Sequence, residues 1–393
     1  MFKKSNIEIN GLSITQEEIL EMSNHPEKFG DETFIAEGDL DFTGCTKLKA
    51  LPKILVVKGN LFLDGCTNLT ALPECLIVKG SVSITGCNNI VTIPTKIVVF
   101  ENLFVTQCPA LSYLSDYMMV SQMLNIENCH NLTTIPANMQ NIGYIRIVNC
   151  QGLTSLPEQL ISVNNLVIKD CLNLISLPNN LMVNNLLILT GCKGLVSLPK
   201  NLKVKSHIDL EGCSGLTTLP ENLKMCGGYL DLTNCANLSS LPNNLHVKGW
   251  LDLTGCTSLT KLPDNLKVEE SLYLNGCTSL ESLPENLRVY DNLDMPGCNK
   301  LKSLPKKMKV GKNIDLTNCT QLTHLPDNLV VGGDLILNGC EALTTIGNKT
   351  RVKGDLIMFD CSSLTGLPKN LKVRKNLIQG GVPGVTKLFE LEN

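Results

Sequence analysis

Aromatic residues are scarce in this chain, since Phe, Trp and Tyr make up only 4% of its 393 residues and the single tryptophan is Trp250. Long apolar runs are missing as well, and the first residues, MFKKSNIEINGL, contain no apolar core of a signal peptide. We therefore expect no transmembrane segment and no classical signal peptide. The interior of the protein must be filled mainly by Leu, Ile and Val.

The motifs that mark many enzymes and metal sites are also missing. The sequence contains no glycine-rich phosphate loop, no GxSxG turn, no HExxH pair and no CxxC pair, and its histidines follow no ligand spacing. We therefore expect no enzymatic activity, no cofactor and no metal. Clustered Lys and Arg accompanied by aromatic residues are absent too, so we do not expect a nucleic-acid partner.

Cysteine, in contrast, recurs at a fixed distance. The interval from Cys45 to Cys66 repeats unchanged as far as Cys213, and after one step that is longer by a single residue it continues from Cys235 to Cys361. A fixed period of about 21 residues is typical of a solenoid, in which each repeat forms one coil that stacks on its neighbours. Because the period runs through nearly the whole chain, it favours one repeat domain over several globular ones.

A constant frame surrounds each of these sixteen cysteines and is clearest in LDLTGCTSLTKLPDNLKV, residues 251–268. Leu251 and Leu253 alternate as in a short strand with one buried face. Proline follows seven residues after the cysteine in fourteen of the sixteen repeats. Proline lacks an N–H, so the frame predicts an extended or 3-10 return segment and excludes a second ladder strand there. Each coil is then a strand, a turn and a return.

The recurring cysteines occupy one inward position in successive coils, which indicates packed free thiols. Their side chains should project in parallel, and this geometry does not suit disulfide bonds. A set of free thiols is typical of a reducing compartment, so we expect the protein to work in cytosol. Cys75 and Cys226 lie outside the series and are the only candidates for reactive thiols.

The frame LxLxxCxxLxxLP, with LPENL at Leu219–Leu223 and Leu283–Leu287 and LPDNL at Leu262–Leu266, resembles the bacterial leucine-rich repeats of the LPX type. The resemblance extends from about Glu37 to Val373. It differs in its turns, which are similar to GCTSL where enteric effectors of this type usually have NNxL. The resemblance implies a leucine-rich-repeat solenoid of about 16 to 17 coils, with a parallel β-sheet on the concave face and the returns on the convex face.

The same resemblance implies a function, because proteins of this type are effectors that pathogens deliver into host cells by dedicated secretion systems. The ubiquitin-ligase domain that some of them carry has no counterpart here. We therefore expect a monomeric virulence protein that binds a host protein without catalysis. The alternatives are an intracellular inhibitor or adaptor of a basic enzyme, and an enzyme or nucleic-acid binder.

The two ends of the sequence predict caps. Thr15 and Glu18 form a capping-box pattern that begins a short α-helix before Pro26. Near the other end, Val382, Val385 and Leu388 take the places of the next Cys, Leu and Leu. We predict an N-terminal cap over residues 1–38, the solenoid over 39–373, and a decayed last repeat with a C-terminal cap over 374–393.

Acidic residues dominate the positions that alternate outward along the strands, six, four and two residues before each cysteine. The concave face is therefore predicted to be acidic and to fit a partner with a basic surface. The alternative is that these residues are solvated consensus positions copied with the repeat. The acidic residues are Asp39, Asp41, Asp64, Glu127, Asp209, Glu211, Asp231, Asp252, Asp294, Asp315, Asp334 and Asp355, against basic Arg146 and Lys169.

Basic residues recur eleven positions after the cysteines, and their row is predicted to run along the convex side or one edge. Whether this row has a ligand is left open by the sequence. Its members are Lys203, Lys224, Lys267, Arg288, Lys309, Arg351 and Lys372, with His246 in the same register.

Aromatic residues interrupt the acidic positions in three adjacent coils. Tyr229, Trp250 and Tyr273 should lie together, and exposed Trp and Tyr are favoured at interface hot spots. The alternative is that Trp250 covers the sheet edge near Gly227 and Gly228. The predicted partner-binding residues are Asp209, Glu211, Tyr229, Asp231, Trp250, Asp252, Tyr273, Asp294 and Asp315.

A second candidate patch lies where the repeat consensus loosens, from Phe104 to Arg146, and outward Val167, Leu186 and Ile188 extend it as an apolar strip. Large apolar residues and an arginine stand there at positions that are small or polar in other coils. Exposed apolar patches on soluble proteins often mark contacts, although sequence drift explains the pattern equally well. The residues of this patch are Phe104, Tyr117, Met123, Tyr144, Arg146, Val167 and Ile188.

Overall fold

The computed structural model describes residues 10–93, 96–139, 142–225 and 227–382. The chain divides into two units, Met1–Leu181 and Met182–Asn393. In each unit, one coil follows another at the cysteine interval and stacks on it through parallel strands, as the register between Leu124 and Ile145 and between Leu230 and Leu251 shows. The predicted leucine-rich-repeat solenoid is therefore confirmed. The single-domain organisation and the cap boundaries stay predictions.

The N-terminal part begins with strand β1 (Leu12–Ser13), helix α1 (Gln16–Met22) and a 3-10 helix (Pro26–Phe29). The predicted capping box is confirmed, because Glu18 N–H donates to Thr15 Oγ1 while Thr15 N–H donates to Glu18 Oε2 (2.7 Å). Ile19 is fully buried. This helix has seven residues, and within the described residues no helix is long and apolar enough to span a bilayer.

The strands before the cysteines form what we call the front sheet of each unit, in which all neighbours run parallel. In the first unit its strands are β3 (Leu40–Asp41), β5 (Leu61–Phe62), β7 (Val82–Thr85), β10 (Asn102–Thr106), β13 (Met123–Glu127), β14 (Tyr144–Val148) and β15 (Ser162–Lys169). In the second unit they are β16 (Met182–Ile188), β18 (Ile208–Asp209), β20 (Leu230–Asp231), β22 (Leu251–Asp252), β24 (Leu272–Tyr273), β26 (Leu293–Asp294), β28 (Ile314–Asp315), β30 (Leu335–Ile336), β32 (Leu356–Phe359) and β34 (Leu377–Gly380).

The return segments form a second parallel sheet in each unit, which we call the return sheet. In the first unit it contains β1, β2 (Thr33–Ala36), β4 (Ile54–Val57), β6 (Cys75–Val78), β9 (Lys96–Val99) and β12 (Met119–Val120), while β8 (Thr92–Ile93) pairs with β11 (Tyr113–Leu114). In the second unit β16 pairs with β17 (Lys203–Val204), which pairs with β19 (Lys224–Met225). The remaining strands are β21 (His246–Val247), β23 (Lys267–Val268), β25 (Arg288–Val289), β27 (Lys309–Val310), β29 (Val330–Val331), β31 (Arg351–Val352) and β33 (Lys372–Val373).

The exclusion of a second ladder strand from the return was wrong. Proline removes an N–H only at its own position. In the representative coil Pro263 begins a turn, in which Leu266 N–H donates to the Pro263 carbonyl (3.1 Å), and the ladder strand Lys267–Val268 starts directly after that turn. Three residues are therefore enough to separate the proline from a regular strand.

The C-terminal end of the described residues contains one further coil position. Strand β34 pairs with β32 in parallel register, from Leu356 with Leu377 to Phe359 with Gly380. Val382 is buried, as expected for a residue in the cysteine position. Val385 and Leu388, which complete the predicted last repeat, lie outside the described residues.

Every coil turns inward through a residue in the left-handed backbone region, placed directly before the cysteine. Glycine occupies nine of these positions, and Asn or Asp, which tolerate this region, occupy six more. The remaining one is Gln107, at φ +53°. This requirement explains why the sequence shows GC, NC or DC at nearly every repeat.

The predicted inward cysteines are confirmed, because all of them except Cys45 are buried and all described cysteines are free thiols. Twelve of these thiols donate to a carbonyl of the preceding coil. Cys256 Sγ donates to the Leu232 carbonyl at 3.3 Å, and Cys277 Sγ donates to the Leu253 carbonyl at 3.1 Å. The thiols therefore both fill the interior and satisfy carbonyl groups between coils.

Burial keeps most of these thiols protonated. Desolvation raises the pKa of Cys66 to about 11 and that of Cys87 to about 12, from an ordinary value of 9.0. Cys108 is an exception, because a hydrogen bond with the Cys129 thiol lowers its pKa. Because the thiolate is the nucleophile, the thiols whose pKa is raised are inert near neutral pH. The partly exposed Cys45 and Cys75 differ from it in accessibility.

We predict that a thiol reagent at pH 8 modifies the native protein quickly at no more than Cys45, Cys75 and Cys226. In denaturant all 18 cysteines should react, because unfolding removes the desolvation that keeps the thiols protonated. Stopped-flow absorbance with an aromatic disulfide reagent measures both counts, and Cys75→Ser should remove one fast equivalent. A fast native phase of ten or so thiols would show that the series is open to solvent.

We predict that Gln107→Gly stabilises the protein by about 1 kcal/mol, because a side chain in the left-handed region costs about that much and glycine does not. The change should shift the urea midpoint upward without altering the slope. Gly86, at φ +67° with open space around its Cα, provides the matched reverse variant, Gly86→Gln. Stabilisation by both changes would contradict the backbone explanation.

Candidate protein-binding surface

The acidic residues of the second unit lie in one row on its front sheet. The strand register aligns residues four positions before successive cysteines, and adjacent strands lie about 4.8 Å apart. Each of these side chains is partly exposed. We call this set the carboxylate row; it contains Asp209, Asp231, Asp252, Tyr273, Asp294 and Asp315, in that spatial order.

Most carboxylates of the row bind their own backbone. Thr233 N–H donates to Asp231 Oδ1 (2.9 Å), and Thr254 N–H donates to Asp252 Oδ1 (2.8 Å). The same bond joins Glu211 N–H to Asp209 and Thr317 N–H to Asp315. This side-chain turn satisfies the N–H that follows the strand. The aspartates therefore have a structural task in addition to any binding role.

A second row of side chains, six positions before the cysteines, forms hydrogen bonds between adjacent coils. Asp334 Oδ1 accepts the N–H of Asp355 (2.7 Å), and Asp355 Oδ1 accepts the N–H of Asn376 (2.8 Å). In the first unit Asp39 Oδ1 accepts the N–H of Asn60 (2.6 Å) in the same way. The outward acidic positions thus include residues that serve mainly to saturate neighbouring backbone donors.

Three aromatic side chains of this second row lie against one another beside the carboxylate row, and Tyr273 of the carboxylate row joins them. The rings of His207 and Tyr229 lie 4.3 Å apart at 27°, and those of Tyr229 and Trp250 lie 4.3 Å apart at 3°. The Tyr273 ring meets Trp250 edge-on at 6.4 Å. The ring spacing is close to the strand spacing, so consecutive strands bring the rings into contact. We call these four residues the aromatic stack.

Glycine leaves room for the first ring of the stack. Gly228 adopts φ +69°, and a Cβ at this position would collide with the His207 ring. His207 Nδ1 accepts the N–H of Tyr229 (3.2 Å), which fixes the ring and takes over the task of the Asp and Asn side chains in this row. The one-residue insertion near Gly227 and Gly228 therefore lies beside the stack.

The stack borders on the carboxylates through the Tyr229 hydroxyl. Burial raises the pKa of Tyr229, and the charges of Asp209 and Asp231 raise it further. Trp250 and Tyr273 are partly exposed, so part of each side chain faces solvent.

The sequence did not point to His207, which belongs to the stack. The available signal was its register, six residues before Cys213, the same as that of Tyr229 before Cys235 and Trp250 before Cys256. The residues predicted from the sequence for this surface were acidic residues, tyrosines and a tryptophan, so His207 was not among them. Among the described residues, no group of three or more His, Cys, Asp or Glu side chains is arranged to hold a metal ion.

The second predicted patch is only partly assembled. Phe104, Met123, Tyr144 and Arg146 lie on the front face of the first unit, in two adjacent rows. Arg146 Nη1 donates to Asn125 Oδ1 (2.9 Å) and pairs with Glu127. Its charge is therefore already used inside the sheet.

Three other residues of that patch lie elsewhere or are covered. Val167 is 2% exposed and cannot contribute an exposed strip, because it is packed within its sheet row. Tyr117 is 73% exposed but follows β11 on the return side of its coil. Ile188 belongs to the second unit, where it is aligned with Asp209.

The basic row is carried by the return sheet of the second unit. The strand register aligns His246, Lys267, Arg288 and Lys309, and their side chains are exposed. His246 Nε2 lies 2.6 Å from Glu269 Oε1. These four residues therefore lie on return strands, whereas the carboxylate row lies on front strands.

No family model and no curated protein matches this chain. Among solved structures, a leucine-rich repeat protein from Bacteroides ovatus ATCC 8483 is similar over 93% of this chain and 87% of that chain, with 17% sequence identity and a TM-score of 0.31. A likeness at this level carries no functional argument. The fold assignment therefore rests on the coils themselves.

We predict that Tyr229→Ala shifts the emission of Trp250 to longer wavelength and increases its quenching by iodide, because one face of the indole becomes exposed. Trp250 is the only tryptophan, so intrinsic fluorescence reports on the stack alone. Tyr290→Ala, on the exposed return side, is the matched control. Equal quenching of wild type and Tyr229→Ala would contradict the stacking.

Proposed function

We propose that this chain is a non-enzymatic scaffold that binds another protein through the carboxylate row and the aromatic stack of its second unit. The observation that carries this proposal is the alignment of the Tyr229 and Trp250 rings beside Asp231 and Asp252 on one sheet face. The extended, regular surfaces of a solenoid are suited to protein binding.

The chemistry of the face favours a basic partner. Asp231 and Asp252 each use one oxygen for a backbone bond and keep the other for a ligand. Opposite charges steer encounter, and aromatic faces attract Lys and Arg side chains. Tyr and Trp also contribute large contact areas at little entropic cost. We therefore propose that the negative charge of this face contributes to binding a basic partner.

We further propose that the partner is a host protein and that a bacterium delivers this chain as an effector. The repeated LPENL and LPDNL segments support it through their similarity to LPX-type effectors. The free thiols support it as well, because they suit the reducing cytosol in which such a protein would act. In this proposal the protein acts as a monomer and recruits, sequesters or inhibits its target.

The test compares affinity purification from host lysate with wild type and with a variant carrying Asp231→Asn, Trp250→Ala and Asp252→Asn. We expect one or more proteins to be retained by wild type and lost with the variant. With a purified partner, Trp250→Ala alone should weaken binding by about 30-fold, the loss typical of a hot-spot residue. Calorimetric titration measures this loss.

Lys267→Ser and Arg288→Ser together provide the control, since they change two charges on the return sheet. The control should retain the partner, and the circular-dichroism melt of each variant should remain close to that of wild type. Identical protein sets for wild type and the front-face variant would refute the proposed surface.

A further inference from the structure

Asp294 differs from the other carboxylates of its row in the backbone that follows it. Asp231, Asp252 and Asp315 each accept the N–H of the residue two positions later. In the coil of Asp294 that residue is Pro296, which has no N–H. Among the described residues, no hydrogen bond to the Asp294 carboxylate is formed, and both of its oxygens remain unpaired.

The same proline affects the neighbouring coil. Asp64 and Asn338, each two positions before a cysteine, accept the N–H of the equivalent residue one coil later, from Thr85 (2.8 Å) and from Phe359 (3.0 Å). For Asn275 the equivalent residue is Pro296. Accordingly, Asn275 Oδ1 is buried and has no hydrogen-bond partner. One proline thus leaves two acceptor groups on adjacent strands without their usual donor.

These acceptors lie together on one face. Tyr273 and Asp294 are register partners on adjacent strands, and Asn275 and Pro296 follow them by two residues on the same face. Gly276 N–H donates to the Pro296 carbonyl (2.8 Å), so the two coils stay paired beyond the strands. Tyr273 is also the edge of the aromatic stack. The Tyr273 ring and the Asp294 carboxylate are therefore neighbours on one sheet face, and the buried amide oxygen of Asn275 lies two residues further along the Tyr273 strand.

The surroundings of Asp294 raise the free-energy cost of leaving its carboxylate unpaired. Burial raises the pKa of Asp294, and the adjacent charge of Asp315 raises it further. A partly desolvated carboxylate gains more from a cationic donor than a solvated one does. A buried amide oxygen without a donor adds to that gain.

Building on the proposed function, we propose that Asp294, Asn275 and Tyr273 form the anchor point for an arginine side chain of the partner. Arginine fits better than lysine because its planar guanidinium has five donors and stacks on aromatic rings. It can donate to both oxygens of Asp294 while Tyr273 offers a ring for contact. Pro296 creates this site by withholding the N–H that would otherwise occupy it.

The decisive variant is Pro296→Thr, which restores the N–H and retains every charge of the row. Threonine occupies the same coil position at Thr233, Thr254 and Thr317, so the fold should accept it. We expect the restored N–H to compete for Asp294 and to weaken binding of fluorescein-labelled octa-arginine about fivefold. Fluorescence anisotropy at fixed low salt measures the affinity.

Asp294→Asn and Asp252→Asn form the matched pair, because each removes one charge from the same row. We expect Asp294→Asn to weaken octa-arginine binding about tenfold, and Asp252→Asn about twofold. Labelled octa-lysine, with the same charge, should bind wild type more weakly and should distinguish the two variants much less. Urea titration of each variant verifies that the fold is retained.

The inference is overturned if octa-arginine does not bind wild type, if Pro296→Thr binds like wild type, or if Asp252→Asn loses as much affinity as Asp294→Asn. These results would leave the lysate comparison unaffected, because that comparison leaves Asp294 and Pro296 unchanged. Conversely, an unchanged set of lysate proteins with an intact arginine preference would refute the wider surface and retain the anchor.

Discussion

The inward turn before each cysteine is the constraint on which the coils depend. A residue with positive φ redirects the chain at the end of every front strand, and the thiol that follows donates to a carbonyl of the preceding coil, as Cys256 does to Leu232. Leucines on either side then fall into buried layers, among them Leu251, Leu253 and Leu259. Without this turn the leucine pattern could not close into a coil, because the strand would continue in its own direction.

Saturation of backbone donors explains much of the polar surface. Two-residue strands leave N–H groups unpaired at their ends, and side chains in fixed positions accept them, within a coil at Asp231 and between coils at Asp334. The acidic surface is therefore partly a product of the fold. Its functional parts are to be sought where the pattern is broken, as at Trp250 and Pro296, because the repeat itself does not require those residues.

The sequence was sufficient for the features that repeat. The period, the buried positions, the free thiols and the capping box at Thr15 were all predicted, because each depends on local spacing or on one residue type. The return sheet was missed, since the effect of Pro263 was extended beyond its own residue. Side-chain bonds between coils were also missed, because the residue at the equivalent position of the next coil decides whether a donor is present, and for Asn275 that residue is Pro296.

The candidate surfaces were predictable to different degrees. Alignment of Asp231 with Asp252 follows from the repeat register alone. The burial of Val167 and the ion pair of Arg146 with Glu127 do not, because they depend on the sizes of side chains in neighbouring strands. Predicting that His207 belongs to the aromatic stack required both its register and the lack of a side chain at Gly228.

The extra residue near Gly227 and Gly228 does not interrupt the front ladder, because Ile208 still pairs with Leu230 across it. This corner therefore accepts a change in loop length while the leucine layer of the front sheet keeps its register. Evolution can vary the border of the aromatic stack there without repacking the interior, and a designer could insert recognition loops at the same corner of other coils.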